Sequence, residues 1–122
     1  MKICVSSEGK SLESKVDPRF GRAKVFIILD TDTMEMEAIE NPNAESMGGV
    51  GIQSGQLMSS KGVKAVLTGN VGPNAFQTLN KAGIEIYTGL SGKVREAVDK
   101  FKAKEIKATS SPSVESHSGM SK

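Results

Sequence analysis

The sequence predicts an α/β fold with the element order β-β-β-α-β-α-β-α. The first observation is residues 67–87, which have the pattern of a strand, a glycine-rich turn, a helix starting at Pro73 and ending before Gly83, and a second strand. Such a βαβ unit places its two strands in parallel. The second observation is residues 24–30 (KVFIILD), a nearly continuous apolar run that is typical of a strand buried on both faces.

The other predicted strands are shorter or more polar. Residues 2–7 (KICVSS) are β-prone and are predicted to form the central first strand, and residues 8–23 form a long polar loop. Residues 34–40 (MEMEAIE) alternate apolar with acidic side chains, which indicates a half-exposed hairpin strand at the sheet edge. Residues 64–68 and 85–88 are the two strands of the βαβ unit.

Three helices are predicted from side chains that recur at helical spacing. The first ends at Gly62, the second begins at Pro73, and the third follows a predicted Ser91 cap. Their core-facing residues are Val50, Ser54, Leu57 and Met58 in the first helix, Ala75, Phe76, Leu79 and Ala82 in the second, and Val94, Ala97, Val98 and Phe101 in the third.

Length and composition predict one soluble α/β domain over residues 1–107, followed by a disordered, serine-rich tail over residues 108–122. Sixteen basic and fourteen acidic residues are interspersed and give a net charge of +2, which argues against nucleic acid as a partner. No apolar run approaches the roughly 18 residues that a membrane span needs. The single cysteine, Cys4, excludes an internal disulfide and suits a cytoplasmic location.

Three loops are expected to meet at one edge of the sheet. Because strands 1, 4 and 5 should be parallel, their carboxyl ends lie together. The loops there contain Ser6 and Ser7 with residues 19–22 (RFGR), then residues 69–72 (GNVG), then residues 89–92 (GLSG). The last two loops lead into helix N-termini, whose unpaired N–H groups and positive dipole end favour anions.

This edge is therefore a candidate site for an anionic ligand, and its glycines and arginines are the binding candidates. Glycine allows the backbone to approach a ligand closely, and arginine adds charge-assisted hydrogen bonds. The predicted cofactor-binding residues are Arg19, Arg22, Gly69, Asn70 and Gly72.

Structural explanations compete with each of these assignments. Glycine-rich turns between strand and helix often serve geometry alone, and residues 69–72 match neither a P-loop nor a dinucleotide-binding fingerprint. One of Arg19 and Arg22 could pair with Asp17 while the other lies on the surface. A second glycine cluster, residues 48–53 (GGVGIQ), is either a further anion nest or a hinge, and the sequence does not decide which end of the sheet it faces.

Catalytic and metal-binding constellations are absent from the sequence. Cys4 lies between Ile3 and Val5 and should face the opposite side of the strand, where a buried core residue is favoured over a metal ligand. The only histidine, His117, lies in the predicted tail, so no zinc spacing or Cys–His pair exists. We therefore predict that the chain is not an enzyme.

Residues 17–23 (DPRFGRA), 49–53 (GVGIQ) and 67–87 together resemble one protein family. In order and spacing they are similar to the dinitrogenase iron–molybdenum cofactor biosynthesis proteins, over about residues 1–103. The resemblance implies a ribonuclease H-like three-layer fold with a mixed five-stranded sheet flanked by helices. It also implies binding of the iron–molybdenum cofactor or its iron–sulfur precursors, and transfer between metallocofactor-assembly proteins.

The chain departs from the family pattern at two positions. Many relatives have histidine where Arg19 stands, and some have cysteine where Ala23 stands. Direct coordination of an iron–sulfur species would then rest on Cys4 alone, or on Cys4 from each of two chains, whereas arginines and backbone N–H groups could still bind an anionic cluster. Nuclease chemistry is not implied, because residues 2–7 lack the carboxylate that two-metal nucleases place on this strand.

The sequence thus predicts a small cytoplasmic carrier for an anionic iron–sulfur or iron–molybdenum cluster. One alternative is a protein-interaction module of cluster-assembly or redox machinery that pairs through the edge strand at residues 34–40 and binds no ligand of its own. Another is an enzyme acting on phosphorylated or nucleotide substrates, which the missing catalytic groups disfavour.

Overall fold

A computed structural model describes residues 1–42, 50–110 and 112 of the chain. Within these residues the order of elements is the predicted one. The strands are β1 (Lys2–Ser7), β2 (Val25–Asp30), β3 (Met36–Glu40), β4 (Ala65–Leu67) and β5 (Glu85–Tyr87), and the helices are α1 (Val50–Ser60), α2 (Pro73–Lys81) and α3 (Val94–Lys102). Residues 43–49, which include Gly48 and Gly49 of the second predicted glycine cluster, lie outside the described residues.

The five strands form one mixed sheet in the order β3-β2-β1-β4-β5. β1 is central, as predicted, and pairs antiparallel with β2 and parallel with β4, while β4 pairs parallel with β5. β3 pairs antiparallel with β2 and forms one edge. The parallel arrangement of β1, β4 and β5 brings their carboxyl ends to the same edge, which we call the carboxyl edge; the opposite one is the amino edge.

Helices cover both faces of the sheet and make three layers, which confirms the predicted fold class. Successive side chains of β1 point to opposite faces of the sheet, so they belong to two separate parts of the core. Cys4 belongs to the cluster under α1 and α2, whereas Ile3 and Val5 belong to the cluster under α3. All of β2 except its last residue is buried, as its apolar run predicts. The first cluster includes Met58 of α1 and Leu79 of α2, and the second includes Val98 of α3.

α1 and α2 approach each other closely through glycine. A Cβ atom at Gly51 would lie 2.9 Å from the backbone nitrogen of Ala75, and one at Gly55 would lie 2.6 Å from the Thr78 methyl group. Because Gly51 and Ala75 both lie in the first turns of their helices, the two helices start side by side. α1 therefore starts at the carboxyl edge, which answers a question that the sequence left open.

The helix ends follow local sequence signals except in α3. Pro73 is the first residue of α2, and Gly83 follows it with a φ of 76°, a conformation that favours glycine. The predicted Ser91 cap is wrong: the N-cap of α3 is Lys93. The Glu96 carboxylate accepts a hydrogen bond from the Lys93 backbone N–H at 3.0 Å and thereby satisfies the helix start without a serine.

The chain beyond α3 returns to the sheet at β5. The backbone N–H of Thr109 donates to the carbonyl oxygen of Ile86 at 2.6 Å, and the hydroxyl groups of Thr109 and Thr88 lie 2.7 Å apart. The start of the predicted tail is thus bonded to the outer side of the sheet. Residue 111 and residues 113–122, including His117, lie outside the described residues.

Candidate functional site

The arginine-bearing loop and the loop after β4 run side by side at the carboxyl edge. Arg19 and Asn70 form a short parallel pairing, in which the Phe20 N–H donates to the Asn70 carbonyl oxygen at 3.2 Å. Phe20 is 1% exposed and anchors the loop in the core, so its neighbour Arg19 is presented at the surface. Asn70 itself is exposed. Two of the predicted site loops are therefore joined through their backbones.

The third loop completes this edge. The Gly89 N–H donates to the Gly69 carbonyl oxygen at 2.8 Å, and the Leu90 N–H donates to the Thr68 carbonyl oxygen at 3.2 Å. At the other end of this loop, the Gly92 carbonyl oxygen accepts a hydrogen bond from the backbone N–H of Val16 at 2.8 Å. The three loops thus meet as the parallel strands required, and backbone hydrogen bonds connect each to its neighbour.

Asp17 organises the arginine loop. Asp17 is 1% exposed, and its carboxylate accepts hydrogen bonds from the backbone N–H groups of Arg19 at 3.0 Å and Lys24 at 3.2 Å. The same carboxylate accepts from Arg19 Nε at 3.4 Å, while the Arg19 side chain remains 57% exposed. The pairing with Asp17 that competed with ligand binding is therefore present. It engages Nε and keeps the guanidinium group at the surface.

Asn41 and Ser54 fasten the other end of this loop. The Asn41 side-chain amide donates to the carbonyl oxygens of Gly21 at 3.0 Å and Ala23 at 2.9 Å. The Ser54 hydroxyl donates to the Gly21 carbonyl oxygen at 3.3 Å, which ties the loop to α1. Arg22, which lies between these contacts, is half-buried and also engaged by the protein. Sequence reasoning missed the loop contacts of both Asn41 and Ser54.

A buried pair of hydroxyl groups joins β1 to the residue that follows β4, beneath the loops. The Ser6 hydroxyl lies 2.7 Å from the Thr68 hydroxyl and 2.7 Å from the Asp17 carbonyl oxygen, and both hydroxyl-bearing residues are fully buried. One Ser6 proton can serve the carbonyl while Thr68 donates to Ser6, so both groups are satisfied. The two hydroxyl groups thus connect the arginine loop, through Asp17, to the ends of the two central strands.

The two predicted site glycines have different structural roles. A Cβ atom at Gly69 would lie 2.7 Å from the Cα of Pro18, so this glycine makes room for the arginine loop. Gly72 is the N-cap of α2 in an extended conformation, with no side-chain hydrogen bond at the cap. Since Pro73 has no N–H, the next amides of the first turn are those that an anion could reach.

Cys4 is fully buried in the core, and burial raises the pKa of its thiol well above the ordinary range. The described part of the chain contains no group of three or more His, Cys, Asp or Glu residues that could hold a metal ion. The groups at the carboxyl edge that can contact an anion are N–H donors, in the Arg19 guanidinium group and in the first turn of α2. A ligand that requires thiolates finds none at this surface.

Burial should make Cys4 inert to thiol reagents. We expect iodoacetamide at neutral pH to label the folded protein at least about 100-fold more slowly than the urea-unfolded chain, because the thiol must first be exposed by opening of the core. Glutathione under the same conditions is the control thiol, and it should react at a rate close to that of the urea-unfolded chain because both thiols have an ordinary pKa. Mass spectrometry gives the rate unambiguously because the chain has one cysteine. Rapid labelling without denaturant would contradict the buried placement.

Comparison with known proteins identifies the family. The sequence profile described as dinitrogenase iron–molybdenum cofactor matches residues 1–104. The chain belongs to this family. Protein MJ0580 of Methanocaldococcus jannaschii is a relative, 32% identical over 91 residues that make up 72% of this chain and 77% of MJ0580.

Solved structures share the fold. The apo form of the orange protein from Desulfovibrio gigas superposes with a TM-score of 0.88 and 39% identity, covering 91% of this chain and 94% of that protein. Thermotoga protein TM1290, solved by NMR, gives a TM-score of 0.78 and 40% identity over 88% of this chain and 91% of TM1290.

Among the residues that the structure describes, none of the helices has the length and apolar character that a membrane-spanning helix needs.

Proposed function

We propose that the protein is a carrier that holds an anionic iron–sulfur or iron–molybdenum–sulfur cluster as cargo at its carboxyl edge. The observation that carries this proposal is the placement of Arg19, whose backbone pairs with Asn70 in the loop that starts α2 and whose exposed guanidinium group is tethered by Asp17. Membership of the iron–molybdenum cofactor family supports the class of cargo.

The binding would be electrostatic. Terminal guanidinium nitrogens of Arg19 can donate charge-assisted hydrogen bonds to cluster sulfides, and the first-turn N–H groups of α2 can add to them. Cys4 would take no part because its thiol faces the core under α1 and α2. A carrier needs cargo that can leave again, and a site made of charge and N–H groups releases a cluster without breaking metal–protein bonds.

Anaerobic uptake tests this proposal. The protein is mixed with iron–sulfur or iron–molybdenum–sulfur cluster, desalted, and examined by elemental analysis and visible absorption. We expect stoichiometric retention by the wild type and about tenfold weaker binding by Arg19→Gln, which corresponds to about 1.4 kcal/mol for one charge-assisted hydrogen bond. Arg95→Gln is the matched control, because Arg95 pairs with Glu13 at the start of α3 on the other face of the sheet.

The variant Cys4→Ala separates the two modes of binding. Retention by folded Cys4→Ala is expected, and its loss would indicate thiolate coordination instead. Retention by wild type no better than by an unrelated protein would overturn the carrier proposal.

A protein-interaction module is the second candidate. It is favoured by β3, whose only partner in the described sheet is β2 and whose first residue, Met36, is 39% exposed beside the 41% exposed Met34. An outer strand with open N–H and C=O groups can pair with a strand of another protein. This function would be preferred if the uptake assay shows no cluster retention.

A further inference from the structure

A concave site lies at the amino edge, away from the three loops. Its volume is about 490 Å³, within the range of small-molecule pockets. Glu85 at the start of β5 and Lys102 at the end of α3 both line it, which fixes its place at the end of the sheet opposite to Arg19. No residue of this pocket belongs to the site proposed for the cluster.

The wall of the pocket is aromatic and apolar. The rings of Tyr87 and Phe101 meet edge to face with their centroids 5.3 Å apart, and the half-buried side chain of Ile106 packs against the same core cluster. Aromatic rings arranged in this way offer both an edge and a face to a further ring. The shape and chemistry of the wall suit a flat, unsaturated ligand.

The carboxylates that line the pocket are already engaged. Glu85 accepts a hydrogen bond from the Tyr87 hydroxyl at 2.8 Å, and Asp32 accepts one from the Met1 ammonium group at 3.1 Å. Their negative charge is therefore partly used within the protein, and neither is directed at the lysines of the pocket.

The lysines lack carboxylate partners. The Lys102 ammonium group donates to the thioether sulfur of Met34 at 3.4 Å, a weak acceptor, and Lys104 forms no ion pair with any described residue. Two ammonium groups thus border the aromatic wall, and neither forms an ion pair with a carboxylate of the described residues. A ligand with a negative group would complete this arrangement.

The chain after α3 keeps one lysine in place. Lys104 adopts a φ of 60°, a left-handed conformation that is common for glycine at a helix end and unfavourable for a lysine. Farther on, Thr109 bonds to β5, so the segment that carries Lys104 and Ile106 is fixed at both ends beside Tyr87. Hydrogen bonds from the backbone N–H groups of Lys104 and Glu105 to the carbonyl oxygens of Phe101 and Lys100 close α3 at this residue and hold its backbone in place.

We propose that this amino-edge pocket binds a planar aromatic anion, with its ring against Tyr87 and Phe101 and its negative group between Lys102 and Lys104. The proposal does not depend on the cluster site at the other end of the sheet. It concerns ligands such as aromatic carboxylates, whose ring and charge match the wall and the lysines.

An NMR titration of the full chain with 1-naphthoate and with the neutral 1-naphthamide tests the proposal. We expect chemical-shift changes at the backbone amides of Tyr87 and Lys104, none at Asn70, and about fivefold tighter binding of the anion than of the amide, as two exposed charge contacts would give. Binding of the two probes with equal affinity, or changes confined to other surfaces, would overturn the proposal.

Substitutions sharpen the test. Lys104→Gly removes the charge while relaxing the left-handed backbone, so it should weaken naphthoate binding two- to threefold without loss of stability (roughly the effect of one exposed charge pair). Lys102→Gln should act similarly. Lys100→Gln, which removes the same charge from α3 outside the pocket, is the control and should leave binding unchanged. Equal effects of Lys100→Gln and Lys104→Gly would mean that only the net charge matters, and would overturn the assigned contact.

Discussion

Replacing Phe20 with alanine should lower the free energy of unfolding by about 3–4 kcal/mol, the range for removing a fully buried aromatic side chain. Phe20 is 1% exposed, and its ring lies 5.4 Å from that of Phe26, centroid to centroid. The side chain is the apolar anchor of the loop that carries Arg19, so its loss removes both core volume and the attachment of the site.

Urea denaturation followed by circular dichroism gives this change. Phe20→Leu is the matched control, since it keeps most of the apolar volume and should cost about 1–1.5 kcal/mol. If Phe20→Ala were no less stable than Phe20→Leu, the ring could not be packed in the core as described.

Replacing Asp17 with alanine should destabilise the protein by about 2–4 kcal/mol, because two part-buried backbone N–H groups lose a buried acceptor at once. These N–H groups belong to Arg19 and Lys24, and the same substitution frees the Arg19 side chain from its tether. Asp17→Asn keeps an acceptor oxygen and should recover part of the loss. The measurement is again urea denaturation, with all variants compared at one pH.

Asp30 provides a matched comparison for Asp17. Its carboxylate also accepts two backbone hydrogen bonds, from Asp32 at 2.8 Å and Thr33 at 3.4 Å, but in an exposed turn. Water can replace the carboxylate there, so Asp30→Ala should destabilise the protein less than Asp17→Ala does. An equal decrease in the free energy of unfolding for the two variants would show that the burial of Asp17 does not determine how much its replacement destabilises the protein.

The fold followed from the sequence because its signals are local. The apolar run at residues 24–30 and the Pro73 and Gly83 boundaries of α2 each depend on neighbouring residues, and the structure agrees with them. The prediction of a Ser91 cap was wrong for a related reason. Serine is a common cap, but here Glu96 satisfies the same N–H group from inside the helix, and a sequence contains both signals without ranking them.

The candidate site was only partly predictable. Parallel strands require their carboxyl ends to meet, so the proximity of Arg19 and Asn70 could be expected. The Asn41 contact with Ala23 spans 18 residues, and no periodicity connects two such positions. The space at Gly69 is likewise filled by Pro18, a non-local contact that only the folded backbone creates.

The seclusion of Cys4 makes the protein a convenient scaffold for site-directed probes. Since its one native sulfhydryl is enclosed by the core, an engineered surface cysteine would be the sole reactive handle, and the native residue need not be replaced. A spin label or fluorophore could then be attached at either end of the sheet in turn. Binding of the proposed cluster cargo at the carboxyl edge and of the proposed aromatic anion at the amino edge would become separately observable in the same molecule.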